Sequence, residues 1–179
     1  MVEAKLIEKD GGLAPEGAGW FVVNAARAPW YGSAQFGSAV MFENRAAARF
    51  EQVGVNIHAL WPGQPNCHYH SEGLQEDFLV LSGECLLIVE EQERRLAAWD
   101  FVHCPPGTRH VFVGAGDGPC FILMLGARGP DEGLDYPVSP LALRYGAGVK
   151  VQTNDPRVSY ADVQRSGPIA APPLPKLTP

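Results

Sequence analysis

The chain lacks most of the features that announce a function. It has no run of lysine and arginine, and its 14 basic residues are outnumbered by 20 acidic ones, giving a formal charge of -6. A nucleic-acid binder needs a basic face to neutralise phosphates, so DNA and RNA are not expected partners. The same acidity disfavours anionic membranes, and no stretch approaches the ~20 apolar residues of a membrane span. The opening residues Met1-Val2-Glu3-Ala4-Lys5 lack the charged-then-apolar order of an export signal. The four cysteines, at 67, 85, 104 and 120, never fall at C-x-x-C spacing, which argues against a zinc knuckle. Three of them sit in or beside apolar runs and read as small buried hydrophobes with free thiols. A reducing, cytoplasmic location is expected from that usage. There is no G-x-S-x-G nucleophile motif, and no G-x-G-x-x-G follows a strand pattern.

What the chain has is punctuation. Its 16 prolines and 20 glycines make up a fifth of 179 residues, too many breaks for a helical bundle. The length favours one domain. Residues 1–49 read as an N-terminal arm with short strands, at Trp20–Asn24 and Ala39–Phe42. Residues 1–18 are expected to be loose, and 46–50 to form one helical turn. From residue 50 onward strand signals are dense: Val53–Trp61, Glu76–Leu81, Cys85–Val89, Arg94–Ala98, Asp100–Cys104, His110–Val113 and Phe121–Leu125. The charged turn Glu90-Glu91-Gln92-Glu93 separates two of these, and Asp117-Gly118 is a hairpin signal between the last two. Short strands at this spacing with no intervening helix indicate an all-β antiparallel barrel or sandwich over residues 50–127. Residues 128–179 form a Pro/Gly-rich extension, ending in a polyproline-like tail around Ala171-Pro172-Pro173-Leu174-Pro175.

Two strands are apolar on both faces, at Leu86–Val89 and Phe121–Leu125. A strand of a small barrel should keep one wet face, so something must cover the outside. The arm, the tail or a second subunit are the candidates, and a homodimer is the expected assembly.

Histidines stand out within this β pattern. His68 and His70 are one residue apart, and His110 follows forty residues after His70. Side chains alternate along a strand, so His68 and His70 share a face, as do Glu76, Phe78 and Val80, and as do His110 and Phe112. If these faces line one interior, three imidazoles and a carboxylate converge. That donor set suits a divalent transition metal, Fe, Mn, Ni, Co, Cu or Zn, with coordination positions left open for chemistry.

The segment 50–127 resembles the cupin superfamily, whose two motifs are G-x5-H-x-H-x(3,4)-E-x6-G and G-x5-P-x-G-x2-H-x3-N. Here Gly63, His68, His70, Glu76 and Gly83 follow the first, and Pro105, Gly107 and His110 the second. The resemblance implies a double-stranded β-helix (the cupin or jelly-roll barrel) with His68, His70, Glu76 and His110 as metal ligands. There are departures. Only four residues separate Gly63 from His68, and five separate His70 from Glu76. The longer loop makes Glu72 a competing carboxylate. Trp99 and Gly114 replace the first Gly and the final Asn of the second motif.

Phe78, Val80, Phe112 and Met124 are expected to form an apolar wall that contacts a small-molecule ligand. His58 and His103 are expected as wall, core or surface residues, Arg109 as a surface or interface charge, and Asp77 facing away from the metal. Few cationic side chains are expected near the site, which disfavours phosphorylated sugars. The resulting expectation is a metal-binding protein acting on a small organic molecule, by oxygenase-like or isomerase-like chemistry. The alternatives are a non-catalytic ligand-binding barrel and a metal-free structural one.

Overall fold

The computed structural model describes residues 1–130 and 133–176, so the expected tail beyond residue 176 lies outside the described residues. Of the strands expected from the sequence, all but Trp20–Asn24 are present with shifts of one or two residues at their ends, and four further strands join them, making twelve among the described residues. They are β1 (Leu6–Lys9), β2 (Gly12–Pro15), β3 (Trp30–Ser33), β4 (Gly37–Met41), β5 (Val53–Leu60), β6 (Glu76–Ser82), β7 (Glu84–Val89), β8 (Gln92–Ala97), β9 (Phe101–Cys104), β10 (His110–Ala115), β11 (Cys120–Ala127) and β12 (Gly167–Ile169). Two short helices, α1 (Pro140–Arg144) and α2 (Pro156–Ser159), belong to the C-terminal extension.

The fold is built as one long hairpin that winds back on itself. Its tip is the two-residue turn Glu90-Glu91 between β7 and β8, with both residues at positive φ (47° and 57°). That is the mirror-image turn whose twist matches paired strands. Moving outward from the tip, β7 pairs with β8, β6 with β9, the bridge at His70 meets His110, and β5 pairs with β11, all antiparallel. Successive pairs alternate between two sheets. β12-β3-β4-β5-β11-β6-β9 form one sheet, and β10-β7-β8 form the other. The segment from Pro65 to His70 runs along the free edge of β10 through bridges at Pro65–Val113 and His70–His110. The two arms of a single hairpin thus wrap around one interior, which is a double-stranded β-helix.

Two glycines make close approaches possible. Gly83, at φ 75°, turns β6 into β7 where a Cβ would sit 2.5 Å from the Pro119 carbonyl oxygen. Gly114 lies against the previous arm, and a Cβ there would meet the Trp61 carbonyl oxygen at 2.2 Å. An asparagine, as in the second motif, would not fit that crossing. Trp99 holds a left-handed turn (φ 76°) between β8 and β9, a conformation that favours glycine.

The outer faces of the barrel are covered in part from within the chain. Outside β7 and β10, Ile88, Val111 and Val113 pack with Tyr69 and with Ala142 and Ala147 at and just beyond α1. Outside β3, β4, β5 and β11, Trp30, Val40, Ala59 and Phe121 pack with Ala28, and Ala171 and Leu174 of the tail lie against them. These segments of the chain thus cover part of the apolar second faces, while Leu86, Leu123 and Leu125 stay half-buried and Phe101 stays exposed. Four local expectations are corrected. Residues 1–18 include the β1–β2 hairpin, which buries Ala4 and Ala14. Residues 20–24 are not a strand but lead into a 3-10 turn at Ala25–Arg27, and the single helical turn expected at 46–50 lies earlier, at 44–48, where Ala48 N donates to the Asn44 carbonyl. The Asp117-Gly118 turn does not close a hairpin, because β10 and β11 belong to different sheets.

Candidate metal centre

The interior side chains alternate as the strand pattern requires. β5 turns Gly54, Asn56, His58 and Leu60 inward. β6 turns in Glu76, Phe78 and Val80, and β10 turns in His110 and Phe112. Because β6 and β10 begin at the same end of the barrel, Glu76 and His110 start their strands side by side. The His70–His110 bridge brings the third group to them: His70 N donates to the His110 carbonyl (3.2 Å), and His110 N donates to the His70 carbonyl (2.8 Å).

His70, Glu76 and His110 form a cluster in which one ligand atom from each lies within 4.8 Å of the others. His110 Nε2 is 3.5 Å from a Glu76 oxygen, and His70 Nε2 is 3.7 Å from a Glu72 oxygen. These gaps are long for hydrogen bonds. Two donors sharing an ion at ~2.1 Å stand about 3–3.5 Å apart when adjacent and about 4.2 Å when opposite, so the His110–Glu76 gap matches a shared transition metal and His70 would close on the ion by a few tenths of an ångström. The other ring nitrogens are already engaged. His70 Nδ1 is 2.8 Å from the His68 carbonyl, and His110 Nδ1 is 3.1 Å from the Thr108 carbonyl. Each carbonyl accepts from Nδ1–H, which fixes the tautomer and leaves Nε2 as a lone-pair donor facing the carboxylates. Glu72, the competing carboxylate of the longer loop, is anchored from behind, its carbonyl accepting from Gly107 N at 2.7 Å.

His68 is placed differently. Four residues separate Pro65 from His70 along the edge of β10, where only two separate His110 from Val113. The two extra residues bulge this segment out of the ladder, and strict alternation fails there. The His68 ring stacks on Tyr160 (centroids 4.6 Å apart, 10° between planes), and its Nδ1 is 2.9 Å from the Ser159 hydroxyl oxygen. It lies outside the three-residue cluster, held by α2 of the extension. Tyr136 stacks on His70 from the same side, at 5.6 Å. This cover from the C-terminal extension carries no motif, and only proximity in the fold exposes it.

The cluster stands at the wall of a cavity of about 480 Å³. Phe78 and Met124 line it, as the apolar wall requires, whereas Val80 and Phe112 lie deeper, in the apolar core. Asn56, His58, Asn66, Cys67 and Glu72 also line it, so this end of the barrel is largely polar. Arg45, Arg49 and Arg128 stand at its walls too, which corrects the expectation of few cations. Arg128 forms a two-pronged pair with Glu43, at 2.8 Å on each prong, and donates to the Phe50 carbonyl. Arg45 and Arg49 come from a segment with no strand pattern, so parity carried no signal for them. Asn56 was legible by its two-residue spacing from His58. His103 sits on the surface, its Nδ1 2.6 Å from Asp77 on the neighbouring strand. Arg109 is on the outside, 3.7 Å from Asp135.

Burial sets the proton affinities. It lowers His110 to about 4, with the charge of His70 adding to the effect. It raises Glu76 to about 7, helped by repulsion from Glu72 and opposed by His70. Burial also pulls His70 down, but Cys67, Glu72 and Glu76 outweigh it and raise that imidazole well above its ordinary value. A positive charge is thus favoured at the centre of this cluster, whether it arrives as a proton or as a cation.

Comparison with known proteins agrees with this architecture. The family description "Cupin domain" matches residues 56–126. These residues are a cupin domain. A sugar phosphate isomerase of the cupin superfamily from Silicibacter pomeroyi DSS-3 has a similar structure, with 27% identity over 52% of this chain and 60% of that one (TM-score 0.47). This chain therefore spans about three fifths of that protein's length. The polyketide cyclase RemF from Streptomyces resistomycificus superposes with a TM-score of 0.52 at 14% identity, over 62% of this chain and 82% of that one. An RmlC-like cupin from Methanocaldococcus jannaschii with a double-stranded β-helix matches at 17% identity over 45% of this chain and 73% of that one (TM-score 0.41). No curated protein matches in sequence. The likeness to RemF is one of fold alone.

Proposed function

We infer that this cupin is a metal-dependent protein acting on a small organic molecule. The observation that carries the reading is the paired orientation of His70 and His110. Each has Nδ1 fixed by a backbone carbonyl and Nε2 turned to a carboxylate at a cavity. His70, Glu76 and His110 would hold the ion, with Glu72 within reach as a fourth donor and His68 placed behind the first group. A divalent transition metal there supplies a Lewis acid with open positions, suited to isomerisation of a carbonyl compound or to oxygenase chemistry.

The surrounding residues have their own tasks. Phe78 and Met124 keep one wall apolar and exclude water from the ligand. Tyr136 and Tyr160 cover the histidines from the C-terminal side. Glu76, with a proton affinity near neutrality, can hold or release a proton at its carboxylate when no ion occupies the cluster.

The test is elemental analysis of the full chain after incubation with Fe(II), Mn(II), Ni(II), Co(II) or Zn(II) and removal of excess. Retention of close to one equivalent of one of these is expected, lost in the His70→Ala variant. Retention below about a tenth of an equivalent of every metal overturns the reading. Oxygen uptake by the Fe(II)-loaded protein with catechols, thiols or keto acids then separates oxygenase from isomerase chemistry.

A further inference from the structure

The cavity has a chemical profile beyond its metal ligands. The protein is acidic overall, yet three of its 14 basic residues line this one cavity. Of the acids near them, Glu72 and Glu76 line the cavity at the candidate metal cluster, and Glu43 behind the wall is committed to Arg128 through both of its oxygens. Arg45 reaches only the flank of that pair, its Nε 3.2 Å from a Glu43 oxygen, with its side chain 71% exposed. Arg49 has no hydrogen-bond or ion-pair partner among the described residues. Two guanidinium groups are thus available beside a cavity whose floor would carry a divalent cation.

The β5 wall of the cavity has an independent signature. Asn56 Oδ1 and His58 Nδ1 are the buried side-chain polar atoms left without a hydrogen-bond partner among the described residues, and both residues line this cavity. A buried polar atom without a partner costs about 1–3 kcal/mol, so such atoms usually mark a place where something else supplies the bond. Burial holds His58 neutral, at about 4, so its ring seeks a hydrogen-bonding group rather than an anion. The unpaired Asn56 oxygen can only accept, so its partner must be a donor. The volume of about 480 Å³ lies within the ordinary range for small-molecule sites.

We propose that the cavity receives a small hydroxylated oxyanion, a carboxylate or a phosphate ester, with its anionic group on Arg45 and Arg49 and its hydroxyl groups on Asn56 and His58. This deepens the metal-dependent reading and rests on it for the floor of the cavity. The planar fork of arginine matches carboxylate and phosphate equally well, so the geometry fixes the charge and the hydroxyl groups and leaves the two anions to experiment.

The test is calorimetric titration of the full-length, Zn(II)-reconstituted protein with gluconate, ribose 5-phosphate, glucose and ribose, alongside acetate and inorganic phosphate. At least one of the two hydroxylated anions is expected to bind about tenfold or more tightly than its neutral parent and than the simple anion. Which of the two does so identifies carboxylate or phosphate. The Arg45→Gln/Arg49→Gln double variant is expected to lose that preference while keeping its zinc content and melting temperature. Equal binding of neutral and anionic compounds, no binding of either hydroxylated anion, or a preference that survives the double variant overturns the proposal. Full zinc retention with no anion preference sinks this proposal alone. Anion preference in a protein that retains no metal sinks the metal reading instead.

Discussion

The interior of the barrel has two halves with opposite chemistry. At the end where β6 and β10 begin, the inward side chains are Glu76 and His110, joined by Asn56, His58, Asn66 and His70 around open space. Toward the other end, the same strands and their neighbours turn in Val80, Leu87, Phe112, Cys120 and Ile122, which pack together as a buried apolar core. One strand can contribute to both: β10 supplies His110 to one half and, two residues on, Phe112 to the other. The closed half provides the apolar burial that stabilises the fold. The open half can then keep polar groups, unpaired atoms and a cavity that would be costly in a domain with no other core. On β10 the candidate metal centre and the apolar core are separated by only two residues, His110 and Phe112.

That separation can be broken by substitution. The largest effect is expected for Phe112→Ala, which empties a fully buried site in the closed half. A loss of about 3–5 kcal/mol should appear in urea unfolding. His110→Ala, one layer away, should instead weaken metal retention by about a hundredfold or more and cost the metal-free fold less than ~1.5 kcal/mol. If the histidine variant unfolds like the phenylalanine one, the two halves are not independent.

The rim of the open half depends on charge. Hydrogen bonds from Arg128 chiefly, against the opposing effect of burial, lower Glu43 to about 2 from an ordinary 4.5. A carboxylate with a depressed folded value stabilises fully above its unfolded value and loses that contribution as pH falls through the folded one. The contribution, about 2–3 kcal/mol, should therefore be complete above pH 4.5 and disappear toward pH 2. Glu43→Gln should be destabilised by a similar amount at pH 7 and should lack that part of the acid sensitivity in urea titrations across this window. The smallest effect belongs to the turn that closes the other half, where Trp99 N donates to the Val80 carbonyl. Relieving its left-handed backbone with Trp99→Gly should raise stability by about 0.5–1 kcal/mol and leave metal content unchanged, as thermal unfolding and elemental analysis can show.

The same division explains what could be read without coordinates. Glu76, Phe78, His110 and Phe112 lie on regular strands, where period-two alternation holds, and their inward direction followed from spacing. His68 lies on the bulged segment, where two extra residues break the alternation that would have aimed it beside His70. Local spacing could not reveal Tyr136, Ser159 or Tyr160, which reach the histidines from sixty to ninety residues away through an extension rich in proline and glycine. Arg45 sits in a short turn and Arg49 just after it, and only the closure of the arm over the barrel brings them to the cavity. The apolar outer faces were legible as needing a cover, but three covers were equally consistent with the pattern until α1 and the tail proved to lie on them.

The winding of one hairpin also constrains how this sequence can change in length. Partners in the outer pairs are spaced evenly about Glu90: Leu60 with Cys120, His70 with His110, Glu76 with Cys104. The chain is a palindrome of positions rather than of letters. A residue gained on one side of Glu90 and not on the other would slide every partnership beyond it, and His110 would then face the wrong neighbour. Insertions and deletions should therefore be accepted at the tip, in surface bulges, or as matched events on both sides, and an unmatched one between residues 91 and 104 should separate the two imidazoles even where each local strand survives.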